Sequence, residues 1–250
     1  MKLFFSFTLM FFFFLQFSYA NNLTKTLSIN TISSENTCVA YTNKDNLCLT
    51  PQELEAYYKK YKKEILDKVG KGNWYFNLAD LIQATKLLMF EKILYNEVKK
   101  SNVEKSKYFK KYKSEIEKKY KNIEKKVKDL IQKGKISLDK AKVLEQNLKE
   151  AVYNFYLKRA YLESQLEPYL KVTTEDIEGF LQAHKGKYGF KKDPKYPKMK
   201  VLPKDKLIEM IKREKIFRVA DQFSKYLWNT YNVTINEKLL RKLNKKLNPN

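Results

Sequence analysis

Between Lys105 and Lys133 the apolar residues Phe109, Tyr112, Ile116, Tyr120, Ile123, Val127 and Leu130 recur at threes and fours, with lysine nearly everywhere else. That period belongs to an amphipathic α-helix, because a strand alternates every second residue. Glu115 with Lys119, Glu117 with Lys121 and Glu124 with Lys128 add stabilising pairs one turn apart. The spacing predicts one continuous helix of about 45 Å at 1.5 Å per residue. Gly134 ends it, and Ser137 opens a second long helix striped by Leu144, Leu148, Val152, Phe155 and Leu162. The short connection "KGKIS" folds the two back as an antiparallel pair. A pair this narrow buries little on its own, so it either leans on a core or projects as an arm.

The rest of the chain reads the same way. "TPQELEAYYKKYKKEILDKV" starts a helix with Thr50 as cap, Pro51 at the first position and Glu53 completing a capping box. Leu54, Tyr57, Tyr58, Tyr61 and Ile65 form its stripe. "GKGNW", Gly70 to Trp74, breaks the pattern and lacks the Gly-Lys-Ser/Thr ending of a phosphate loop. "LADLIQATKLLMFEKILYNEVKK" is apolar on more than one face, which predicts a central core helix. "KVTTEDIEGFLQAHKG" is a short helix capped by Thr173, with Asp176 in its first turn and Ile177, Phe180 and Leu181 inward. A further long helix puts Leu207, Ile208, Ile211, Val219, Phe223 and Leu227 on one face. "CVAYTNKDNLCLT" reads as two short strands around an Asn-Lys-Asp-Asn turn, "VTIN" as a strand, and "EKLLRKLNKKL" as a basic tail compatible with a helix.

Residues 1–20, "MKLFFSFTLMFFFFLQFSYA", have a single lysine, an apolar run and the small residues Ser18 and Ala20, the pattern of a cleavable secretory signal peptide. An uncleaved anchor is the rival reading, for which the run is short. A polar lead (21–36) follows, then one helical domain over 37–250. An oxidising compartment makes a Cys38–Cys48 disulfide the default; metal binding is the weaker alternative, because the spacing does not suit a zinc site and the only histidine is remote. The formal charge is +23, and all but four of the 51 basic residues are lysine. Arginine is the better residue for bidentate contacts to bases and phosphates, so no nucleic-acid partner is expected. Anionic lipid headgroups and acidic protein patches stay open as partners.

No catalytic, cofactor-binding or metal-binding residue is expected. His184 has no nucleophile or second ligand near it in the sequence and reads as a helix C-terminal residue. The aromatic residues carry the informative signal. Tyr112, Tyr120, Tyr153, Tyr156, Tyr161 and Tyr169 gather on the helical pair among lysines. They either pack one helix on the other or form a surface that accepts varied apolar polypeptide segments. Trp74, Phe90 with Met89, and Trp228 either line a groove or fill a core.

In their order, "NKDNLCLTPQELEAYY", "LADLIQATKLLMFEKILYNEVKKSNVEKSKYF", "GKISLDKAKVLEQNLKEAVYNFYLKRAY", "KVTTEDIEGFLQAHKGKYGF" and "KLIEMIKREKIFRVADQFSKYLWNTYNVTIN" resemble the SurA-type periplasmic chaperones and the related parvulin-type foldases. The resemblance implies a mainly α SurA-like chaperone domain with a long helical pair over 105–166. It also implies that the N-terminal hairpin pairs with "NVTIN", with Val39, Tyr41, Val233 and Ile235 as alternating strand positions. In that family a prolyl isomerase domain usually precedes the closing helix. Here that interval is "HKGKYGFKKDPKYPKMKVLP", residues 184–203, too short for a parvulin sheet and without its Gly-Gly-rich signature. What the resemblance leaves is a cofactor-free periplasmic holdase for unfolded or nascent envelope polypeptides, lacking isomerase activity. The rivals are an envelope scaffold with one dedicated partner, or a basic lipid-surface or nucleic-acid binder.

Overall fold

The computed structural model describes residues 37–69 and 77–248. The leader, the polar lead and the 70–76 segment with Trp74 lie outside the described residues, as does the side chain of Ile65. The described chain is mainly helical, with eight α-helices and a small sheet.

The Asn-Lys-Asp-Asn turn closes the first hairpin. Asp45 and Asn46 sit at φ +64° and +49°, a region that asparagine and aspartate tolerate better than other side-chain-bearing residues. The Thr42 hydroxyl braces the turn, accepting from the Leu47 N–H at 3.0 Å and donating to the Lys44 oxygen at 2.7 Å. Strands β1 (Ala40–Thr42) and β2 (Cys48–Leu49) pair antiparallel, and Cys38 and Cys48 are joined by a disulfide. The strand β5 (Val233–Ile235) adds to the other edge of β1, with Ala40 opposite Ile235 and Thr42 opposite Val233. The N-terminal hairpin and a strand late in the chain thus share one sheet, the pairing expected between the hairpin and "NVTIN". The inward face differs from the expected alternation. Ala40 and Thr42 are buried and Tyr41 is only half-buried, while Val39 is buried just ahead of the strand. The small inward side chains let the sheet lie close on the helix beneath it.

That helix is α2 (Leu78–Lys100), capped by an Asn77–Asp80 capping box. It touches α1 (Pro51–Val69), β1, β2, and three later helices: α5 (Leu138–Leu166), α7 (Lys204–Tyr231) and α8 (Glu237–Leu247). Leu81, Met89, Phe90, Ile93, Leu94 and Val98 are all buried, as a helix apolar on more than one face requires. The Thr50–Glu53 capping box of α1 forms as expected, the Thr50 N–H donating to Glu53 at 2.9 Å.

The helix expected over 105–133 is broken. A 3-10 turn (Val103–Lys105) and the short α3 (Lys107–Lys110) precede α4 (Lys113–Gln132). Ser106 caps a fresh turn with its hydroxyl, and the Tyr112 N–H donates to Phe109 rather than to the residue a full turn back. Val103, Phe109 and Tyr112 are all buried in the main core. A straight rod would carry them off it, so the backbone bends to seat them. This leaves α4 about 30 Å long and α5 about 44 Å. Gly134, at φ +64°, ends α4 in a Schellman motif, with Lys135 N–H to the Leu130 oxygen at 3.0 Å and Gly134 N–H to the Ile131 oxygen at 2.9 Å. Beyond the bend, α4 and α5 pair around Ile123, Val127 and Ala141, a small core of their own.

A third core lies at the other side. There α6 (Thr174–Ala183), a parallel ribbon of β3 (Tyr188–Gly189) and β4 (Lys200–Val201), and the first half of α7 enclose Phe180, Leu207 and Ile211. The far end of α7 buries Leu227 and Tyr231 in the main core, and its C-cap Asn232 turns left-handed at φ +46°.

Two outcomes follow for stability. Replacing both cysteines by alanine should lower the unfolding free energy in urea by about 2–4 kcal/mol, since the bridge closes the hairpin that carries β5. Lys158 and Glu91 form an ion pair at 2.6 Å, with side chains 11% and 15% exposed. Glu91→Leu alone should cost about 3–5 kcal/mol by stranding the ammonium, whereas Glu91→Leu with Lys158→Met should recover most of that loss.

Candidate functional site

Along α7, no residue between Ile211 and Leu227 is buried. Ile216, Val219, Ala220 and Phe223 nevertheless follow one another at threes and fours, the spacing of a stripe on one helix face. They are half-buried. Beside them Phe217 is 37% and Tyr226 62% exposed. The Phe223 ring lies 6.5 Å from that of Tyr161 on α5 and 6.4 Å from that of Tyr226. The helix is therefore a strut anchored in two cores, with an apolar ridge over its middle. Lys212, Arg213, Arg218 and Lys225 stand exposed along it.

One clamp sets how α6 meets this strut. The Asp176 carboxylate closes the capping box of α6, accepting from the Thr173 N–H at 2.8 Å. It also accepts from the Lys215 ammonium of α7, which donates at 2.8 Å to the Lys171 oxygen as well. These contacts hold the Asp176 carboxyl below its ordinary value, the Lys215 hydrogen bond first among them. Exposed Tyr169 stands two residues before Lys171.

Four of the aromatic residues expected to form a binding surface are framework instead. Tyr112, Tyr156, Tyr161 and Phe90 are buried in the main core. Tyr112 and Tyr156 meet at 5.1 Å between ring centres, and Phe109 meets Tyr153 edge-on at 5.3 Å, so these rings join α3 and α4 to α5. Their hydroxyls reach carboxylates: Tyr112 donates to Glu163, and Tyr161 to Glu97 at 3.3 Å. Burial pushes the Tyr112, Tyr153 and Tyr156 hydroxyls well up, and that of Tyr161 to about 12. Tyr120, Tyr153 and Trp228 are half-buried and pack against the same core, Tyr120 with the Lys149 ammonium 5.7 Å from its ring centre. Trp74 lies outside the described residues. The large apolar residues left exposed include Tyr169, Phe190, Phe217 and Tyr226. Sequence reasoning missed Phe217 and Tyr226 because it followed the stripe; an aromatic residue beside a stripe rather than on it was the available signal.

His184 closes α6, its ring 4.3 Å from that of Phe180, Nδ1 3.0 Å from the Phe180 oxygen and Nε2 3.7 Å from Glu214. Among the described residues no group of three or more histidine, cysteine, aspartate or glutamate side chains is placed to hold a metal ion. No described helix is long and apolar enough to cross a membrane. The chain matches no family model, no curated protein and no solved structure.

The clamp makes a pH prediction. A depressed carboxyl stabilises the fold above its unfolded value, 3.8 for aspartate, and that contribution disappears as pH falls through the lower folded value. Lys215→Ala should therefore narrow the difference in urea midpoint between about pH 5 and about pH 2. At neutral pH it should raise amide exchange over α6, while α2 stays protected.

Proposed function

We propose that this chain is an exported, SurA-like holdase that shields apolar segments of unfolded or nascent envelope proteins, with no chemical step of its own. The observation that carries the reading is the ridge on α7: apolar residues held half-exposed along a strut whose two ends are firmly packed, with cationic side chains beside them. Rigid anchoring keeps such a surface from collapsing into the body. Large aromatic rings give it contact area without demanding one partner geometry. The cations keep it soluble between clients. The order of motifs, which resembles that of the SurA-type chaperones, supports the same reading. The interval those proteins use for an isomerase domain is occupied by a self-packed loop, so no isomerase activity is included. The leader pattern of residues 1–20 supports export, and with it a periplasmic site of work.

Burial of the tyrosines between α4 and α5 favours a second role for the hairpin itself, as a stiff arm within an envelope scaffold built on one dedicated partner. The two readings separate in solution. The chain from Asn21 onward should suppress aggregation of a denatured outer-membrane β-barrel protein at equal or several-fold excess, and should do so at moderate salt. Phe217→Ser with Tyr226→Ser should weaken that protection by about fivefold or more while leaving the melting temperature unchanged. Full protection by the double variant, or none by the parent chain, overturns the holdase; a single stoichiometric partner in pull-downs without client binding establishes the scaffold.

A further inference from the structure

The loop between α6 and α7 is built, not slack. Gly186 turns at φ +75°, and the Tyr196 ring lies where a Cβ on Gly186 would stand, 2.6 Å away. Tyr188 stacks on Phe180 with ring centres 6.0 Å apart. The ribbon closes through Lys200 N–H to the Lys187 oxygen and Leu202 N–H to the Gly189 oxygen, both at 3.0 Å. Asp193 accepts from the Lys195 N–H at 2.9 Å and holds the tip. Tyr188, Tyr196, Met199 and Leu202 are thereby turned partly inward.

Everything else on this loop points out. Nine lysines stand between Lys185 and Lys206 against only Asp193 and Asp205, and all nine are exposed. Among the described residues none of the nine forms an ion pair, whereas lysines elsewhere do: Lys92 with Glu53, Lys149 with Glu124 and Glu145, Lys158 with Glu91. Amid this charge Phe190 and Val201 are each 43% exposed. They share one end of the ribbon, since Val201 pairs with Gly189 and Phe190 follows Gly189 directly.

We infer that this loop docks the protein on an anionic lipid surface. The backbone that presents these ammonium groups is already ordered, so meeting a dense sheet of negative headgroups costs little backbone ordering, and the charges act within a Debye length of about 10 Å. An exposed aromatic ring set among lysines suits the interfacial zone of a bilayer, where its apolar body leaves water while the charges stay wet. The choice of lysine argues against nucleic acid: no arginine occurs between Arg159 and Arg213, and bidentate phosphate or base contacts favour arginine. The inference is independent of the client-binding ridge and stands or falls separately.

The test is cosedimentation of residues 21–250 with vesicles of phosphatidylglycerol and phosphatidylcholine, against phosphatidylcholine alone. Binding is expected only to the anionic vesicles and should fade as salt rises to about 0.5 M. Changing Lys191, Lys192, Lys195 and Lys198 to glutamine should weaken it more than about tenfold, each lysine near the surface being worth about fivefold. The same four-charge change at exposed Lys118, Lys121, Lys125 and Lys128 of α4 should weaken it less than about threefold, because those lysines lie outside the docking loop. Phe190→Ser should cost several-fold at constant charge. Equal losses from the two lysine sets, or no binding to anionic vesicles, overturns the proposal. Binding to polyglutamate or single-stranded DNA that equals vesicle binding and ignores Phe190→Ser replaces the bilayer with a soluble acidic macromolecule.

Discussion

A helix packed on several sides must find partners for the polar residues it takes out of water, and α2 does so for Glu91, Lys92, Asn96 and Glu97. Glu91 takes the Lys158 ammonium of α5. Lys92 donates at 2.7 Å to the Cys48 oxygen of β2 and lies 2.7 Å from Glu53 of α1. Glu97 accepts from the buried Tyr231 hydroxyl at the end of α7, and Asn96 donates to that hydroxyl at 2.9 Å and to Asp45 of the hairpin turn at 2.8 Å. Each of these groups is thus matched by a neighbouring element, and Asn96 and Glu97 share the Tyr231 hydroxyl. Burying such a group without its partner costs far more than the pair yields. The apolar face of α2 drives collapse, and these pairings restrict which elements can surround it and in what register. Tyr231 shows the consequence: burial and the Glu97 carboxylate both push its hydroxyl upward, keeping it a donor.

From that centre the other two cores extend outward by different means. The α4–α5 hairpin grows from the tyrosine contacts at the bend and is stiffened by a narrow core. The α6 lobe hangs on α7 through Phe180, Leu207, Ile211 and the Lys215 clamp. Because α7 bridges two cores, none of its residues between Ile211 and Leu227 is fully buried. The half-exposed ridge is a geometric result of that bridging, and it is also the surface with the strongest claim to bind another chain. The 185–206 loop instead carries lysines that form no ion pair among the described residues. The ridge is mainly apolar and the loop mainly charged, so added salt should weaken contacts of the loop more than those of the ridge.

Much of this was legible in the chain. The capping box of α1, the Thr173 cap of α6, the core role of α2, the Gly134 stop and the hairpin turn all rest on interactions within a few residues, and they formed as read. The bend at Lys111–Tyr112 was not legible. Phe109, Tyr112 and Ile116 keep a helical period straight through it, and the cause is a distant core that must receive them. The tyrosines misled for a related reason. Composition told that aromatic rings and lysines interleave on these helices, but which rings face α5 and which face water depends on the approach of another helix.

The amino-acid sequence by itself determined that the chain is mainly helical, where most helices begin and end, and that its charge is carried by lysine. These are local matters of period, capping and side-chain type. Only the tertiary structure decided that Tyr112, Tyr156 and Tyr161 are interior, that Phe217 and Tyr226 are exterior, and that the lysines of the 185–206 loop form no ion pair among the described residues. Exposure and pairing belong to the space between elements, and no single stretch of chain contains that space.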